Sequence, residues 1–158
     1  MKILFVAMVN SIHTVRWISQ ISEQGWIISV FPVEYATPHP MLKNVKVWGP
    51  YLTRPTGLDK SNKYKCWPSL AFYMDFAIKR MKHLDQTRYR EQALTHIIQT
   101  THPDIVHSLE IQHAGILTQA VRQKFGNDFP SWIATNWGSD LYLFSRLPEH
   151  REPIMQVL

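Results

Sequence analysis

The run His107-Ser108-Leu109-Glu110-Ile111-Gln112-His113 brings two imidazoles and a carboxylate together within a short stretch. Imidazoles titrate near neutrality and carboxylates accept protons from hydroxyl groups, so these are groups that position a sugar or alcohol. His107, Glu110 and His113 are therefore the catalytic candidates, with a hydrogen-bonded strand residue as the alternative reading of His107. Their spacing does not match a helical His-Glu-x-x-His site, and no Asp-x-Asp pair is present to hold a divalent ion, so no metal is expected.

Two further clusters carry polar groups suited to binding. Asn10-Ser11-Ile12-His13 follows an apolar run and opens a helical pattern. The unpaired N–H groups and positive dipole end of such a helix attract phosphate, and His13 and Arg16 add donors. The alternative is that Asn10 and Ser11 only cap the helix. In Asn136-Trp137-Gly138-Ser139-Asp140, Gly138 admits close backbone approach to a ligand. Asp140 beside Ser139 either binds hydroxyls or caps the next segment. Neither a Gly-x-Gly-x-x-Gly turn nor a Walker phosphate loop is present, which argues against a nicotinamide oxidoreductase and a P-loop kinase.

The elements that must position these clusters follow from hydrophobic periodicity. Residues 3–9 and 104–109 read as short buried strands, with further strands at 26–33, 45–48 and 132–135. Between them, Thr14, Trp17, Ile18 and Ile21 recur at helical spacing, as do Leu94, Ile97 and Ile98 in a helix over 89–100, and Leu117, Val121 and Phe125 in a helix from Ala114. A helix is also expected from Pro68 to Leu84, and another over 148–158, while 49–65 reads as loop. Alternating strands and helices predict a Rossmann-like doubly wound parallel sheet with helices on both faces. Each polar cluster then follows a strand, the first, fourth and fifth, on the edge where such sheets bind ligands.

At 158 residues, 45% hydrophobic and 18% charged, the chain has the make-up of one globular domain spanning 1–158. Its excess of 17 Lys and Arg over 12 Asp and Glu gives a net charge of +5, a basic surface or an attraction to anions. The single cysteine, Cys66, has no internal disulfide partner and fits a reducing compartment. Residues 3–9 are too short an apolar core for a secretory signal, and no stretch is long enough for a membrane span, so a cytoplasmic location is expected. The segment 63–90 mixes Trp67, Phe72 and Phe76 with Lys79, Arg80, Lys82 and Arg88, a composition suited to peripheral contact with an anionic inner membrane face. It carries no base-stacking pattern, so nucleic acid is not expected as a partner.

Taken in order, MKILFV with NSIHTVRWISQISEQGW, then HPDIVHSLE, then NWGSDLYLF resembles the N-terminal domain of the family 4 glycosyltransferases. That resemblance implies one half of a two-domain GT-B fold and transfer of a sugar from a nucleotide-sugar donor, with retention and without a bound metal or cofactor. It further implies that this half receives a glycan or lipid-linked acceptor, while a C-terminal domain with a Glu-x7-Glu motif holds most of the donor. On that reading this chain alone is inactive. The other reading of the residues is a stand-alone flavodoxin-like module that binds a phosphorylated ligand without chemistry.

Overall fold

The computed structural model describes residues 1–34, 36–49, 56–66 and 86–158. Strand β1 (Lys2–Ala7) is buried along its length after Lys2, because it lies inside the sheet with side chains packed on both faces. It is followed by α1 (Ile12–Ile21), β2 (Ile27–Pro32), β3 (Lys46–Gly49) and β4 (Lys63–Cys66). Then come α2 (Gln86–Thr101), β5 (Ile105–Leu109), a π-helical turn (Ile111–Gly115), α3 (Ile116–Phe125) and β6 (Ser131–Thr135). The short α4 (Gly138–Tyr142) and α5 (Pro148–Val157) complete the described chain.

All strand pairs are parallel, in the order β4-β3-β2-β1-β5-β6. The pleat sorts alternate residues of β1 to opposite layers. Ile3, Phe5 and Ala7 pack with Val15 and Ile18 of α1, whereas Leu4 and Val6 pack with Leu94 and Ile97 of α2 and Leu117 and Val121 of α3. Helices therefore cover both faces, as the periodicity predicts. Because β1 pairs with both β2 and β5, strand order reverses at β1, and the crevice of such a sheet opens beside the carboxyl ends of β1 and β5.

Three expectations are corrected. Residues 63–65, expected in a loop, belong to edge strand β4, held by register pairs such as Lys46 with Lys63 and Trp48 with Lys65. The buried Asn62 anchors its start by accepting from the Val45 N–H at 3.2 Å and donating to the Leu42 carbonyl at 2.6 Å. The second and third polar clusters consequently follow the fifth and sixth strands, not the fourth and fifth. The helix expected from Ala114 begins instead with the π-helical turn, in which the Gly115 N–H reaches back to the Glu110 carbonyl at 3.0 Å. On α1, Val15 is buried and Trp17 is 40% exposed, so the apolar stripe is rotated relative to the expected one. The helix expected over 68–84 lies outside the described residues.

Candidate active site

Ser11 caps α1, its hydroxyl accepting from the His13 N–H at 3.2 Å, which is the capping role open to it from sequence. Asn10 donates from its side-chain amide to Glu34 at 3.2 Å and so ties the loop after β1 to the one after β2. His13 and Arg16 are exposed. The His13 ring lies 5.3 Å from the Trp137 ring, joining the first polar cluster to the third.

Glu110 is the most constrained residue of the rim. It stands one position past β5, where its N–H still donates to the Thr135 carbonyl at 2.9 Å, and its backbone takes φ 92° and ψ 152°. An L-residue held in that region carries strain, and such strain gathers at functional sites. Its carboxylate is 2% exposed and accepts from the backbone N–H groups of His113, at 2.7 Å, and Ala114. The other carboxylate oxygen lies 3.3 Å from Nδ1 of His113. Burial pushes the Glu110 carboxyl up, against the lowering effect of the Ala114 and His113 contacts, and the neighbouring Asp140 charge adds to the rise.

These bonds fix the start of the π-helical turn and aim His113. The imidazole side chain of His113 is 63% exposed, so it reaches solvent while its Nδ1 faces a buried carboxylate. An imidazole held by a carboxylate on one nitrogen and open on the other is the arrangement of an oriented general base or hydroxyl acceptor. Glu110→Ala should remove the cap yet keep the strained φ, whereas Glu110→Gly loses the same bonds and relieves the strain. We expect the glycine variant to be more stable than the alanine variant by about 1 kcal/mol in urea unfolding. Equal stabilities, or a more stable alanine variant, would count against strain at this position.

Asp140 is 2% exposed, and one carboxylate oxygen accepts from the N–H of Ile111 at 3.0 Å and of Trp137 at 2.8 Å. Of its two sequence readings, the structure displays the capping one, extended to a cross-link between the loops after β5 and β6. Gly138 and Ser139 are exposed at the start of α4, and a Cβ added at Gly138 would meet no neighbour, so the space above it is open.

His107 sits below the rim, 6% exposed, in the alternative role open to it from sequence. Its Nε2 lies 2.7 Å from the Thr135 hydroxyl, and its ring packs against Phe5 and Trp17 at centroid distances of 5.1 and 5.4 Å. Burial pulls its pKa down to about 4, so it is neutral at pH 7. On the other face of β5, the Ser108 hydroxyl donates to Thr118 at 2.8 Å and accepts from the Trp132 indole at 2.9 Å. That network keeps β5, β6 and α3 in register beneath the rim. Among the described residues, no group of three or more His, Cys, Asp or Glu side chains is arranged to hold a metal ion.

Beside His113 opens a cavity of about 400 Å³ whose walls include Val33 and Leu117, with Arg90, Glu91, Gln112 and His113 as polar members. Mostly apolar clefts of this size with a few polar groups are typical small-molecule sites. Gln112 adds a buried amide nitrogen with no hydrogen-bond partner among the described residues. Sequence reasoning quoted Gln112 within its cluster but gave it no role, and it missed Val33 and Arg90 at this site. The one available signal was the position of Gln112 between Glu110 and His113.

The parallel sheet, its reversal at β1 and the three linked loops agree with the comparison to known families. The model of the glycosyl transferase 4-like family matches residues 73–158, just over half of the chain. No curated protein and no solved structure matches. The chain belongs to the glycosyl transferase 4-like family.

Proposed function

We propose that this chain is the acceptor-side half of a retaining, hexosyl-transferring enzyme that uses a nucleotide sugar and acts on a glycan or lipid-linked acceptor in polysaccharide synthesis. The observation that carries the reading is the joining of three loops into one rim at the reversal of strand order. His13 packs on Trp137, Asp140 binds the Trp137 and Ile111 N–H groups, and Glu110 aims His113. His113 accepts a hydrogen bond from the acceptor hydroxyl and orients its oxygen toward the anomeric carbon, and Glu110 acts as a positioning residue. As the new glycosidic C–O bond forms, the bond to the nucleotide phosphate breaks. Retention places the departing phosphate on the same face as the hydroxyl, within reach of its proton.

The roles of the remaining candidates divide by exposure. Exposed His13, Arg16, Gly138 and Ser139 meet the substrate or assist the donor phosphates, with Asn10 and Ser11 shaping the loop that carries them. Buried His107 and Asp140 hold the rim from beneath. The donor is held chiefly by a second Rossmann-like half. A cytoplasmic location and contact of 63–90 with an anionic membrane belong to the same reading. No helix among the described residues is long and apolar enough to cross a membrane.

The test is sugar release from a panel of nucleotide sugars by this chain alone and by the polypeptide encoded by its complete gene. Turnover by the longer polypeptide and none by this chain is expected. Turnover by this chain alone, or a gene that encodes no second half, would contradict the proposal.

A further inference from the structure

Away from the crevice, at the amino-terminal ends of β2, β3 and β4, a groove of about 420 Å³ gathers Lys46, Lys63 and Lys65 beside Trp26, Ile27 and Ser61. Lys46 and Lys63 are register partners on adjacent strands, and Lys65 stands opposite Trp48. The two-residue pleat therefore sets all three lysines on one face of the sheet. Like charges directly opposite each other on neighbouring strands are destabilising. Among the described residues none of the three is paired with a carboxylate, and the nearby Asp59 is engaged at 4.0 Å by Lys43.

Edge protection accounts for only part of this arrangement. Exposed lysines on β4 would discourage another strand from pairing there. Lys46, however, stands one strand inward and is only partly exposed, with its ammonium 4.0 Å from the centre of the Trp48 ring. Burial lowers its pKa, and the Lys65 and Lys63 charges lower it further. A repulsion among three clustered ammonium groups is relieved when an anion enters.

We propose that this groove binds a phosphate-bearing ligand, its oxygens meeting Lys46, Lys63 and Lys65 while Trp26 and the exposed Ile27 flank its apolar portion. The site lies at the opposite edge of the sheet from the rim carrying His113, so its test is separate from that of sugar transfer, although Lys63 and Lys65 begin the 63–90 segment given a membrane contact in the proposed function. The phosphate belongs either to a membrane lipid headgroup or to a soluble molecule. Two measurements on the whole chain separate them: calorimetric titration with inorganic pyrophosphate, and co-sedimentation with phosphatidylcholine vesicles with and without phosphatidylglycerol.

Lys63→Gln/Lys65→Gln and, separately, Lys46→Gln should each weaken binding at least about tenfold, since each removes charge-assisted contacts. The charge-matched control Arg122→Gln/Arg151→Gln, on α3 and α5 away from the groove, should not reproduce the lysine-pair variant's loss. A lysine-dependent response to pyrophosphate alone assigns a soluble phosphate, and one that includes the anionic vesicles assigns a headgroup. Absence of binding to both probes, or equal losses in the lysine-pair variant and its control, would overturn the proposal.

Discussion

In the polypeptide encoded by the complete gene, replacing His113 by alanine should lower kcat by about 10²-fold, the loss expected when a reacting hydroxyl is misplaced. The fold should survive, because the side chain is 63% exposed and its loss leaves the two backbone N–H bonds to Glu110 in place. Glu110→Gln should cost less in rate, since an amide oxygen still accepts a backbone N–H while the charge facing Nδ1 is gone. Its distinguishing readout is the pH profile. Because burial raises the Glu110 carboxyl, its titration should set an acid limb of kcat that is absent from the glutamine variant. A profile unchanged by Glu110→Gln would detach the pair.

The second large effect concerns stability. With a folded pKa of about 4 against an ordinary value of 6.5, His107 binds fewer protons in the folded chain than in the unfolded one throughout that interval. Its contribution is therefore fully present above pH 6.5 and lost as the pH falls toward 4, a difference of about 3 kcal/mol. Glu110 works in the opposite sense. Its raised carboxyl keeps a proton in the folded chain above the usual range, adding stability at low pH that is lost as the pH rises. The comparison that isolates His107 is wild type against His107→Gln, in urea unfolding at pH 7 and at pH 4. The variant should lose less stability than wild type over that interval, by about 3 kcal/mol. Parallel losses would mean that His107 is not held neutral between Phe5, Trp17 and Thr135.

How far the fold was legible depended on whether periodicity or tertiary pairing made each element. Leu94, Ile97 and Ile98 mark α2 by spacing alone, and the apolar run of β1 could only be a buried strand. Strand β4 escaped because Lys63 and Lys65 are exposed and leave no apolar run. Its identity comes from its register with β3 and from the reach of Asn62 to Leu42. The π-helical turn escaped because it depends on the backbone of Glu110 and on close packing at Gly115, where a Cβ would meet Val157 at 3.0 Å. That contact joins residues far apart in sequence.

The three site clusters were legible as strand-end loops, since polar residues after a buried strand fall on one edge of a parallel sheet. Their division into buried and exposed members was not. Asp140 reaches the Ile111 N–H across 29 positions, and no local pattern encodes that link. The same holds for the neutral state of His107, which is imposed by β1, α1 and β6 together. The lysine groove likewise appears only once β3 and β4 are paired.

The central claim is that this family member carries the acceptor side of the reaction on the rim formed by Glu110 and His113. It is tested most directly by comparing sugar transfer with acceptor-independent hydrolysis of the nucleotide sugar, in the polypeptide encoded by the complete gene and in its His113→Ala variant. The account predicts that transfer falls by about 10² or more while hydrolysis stays within about twofold, as the proposed role of His113 in orienting the acceptor hydroxyl requires. Equal falls in both rates, or transfer unaffected by the substitution, would contradict it.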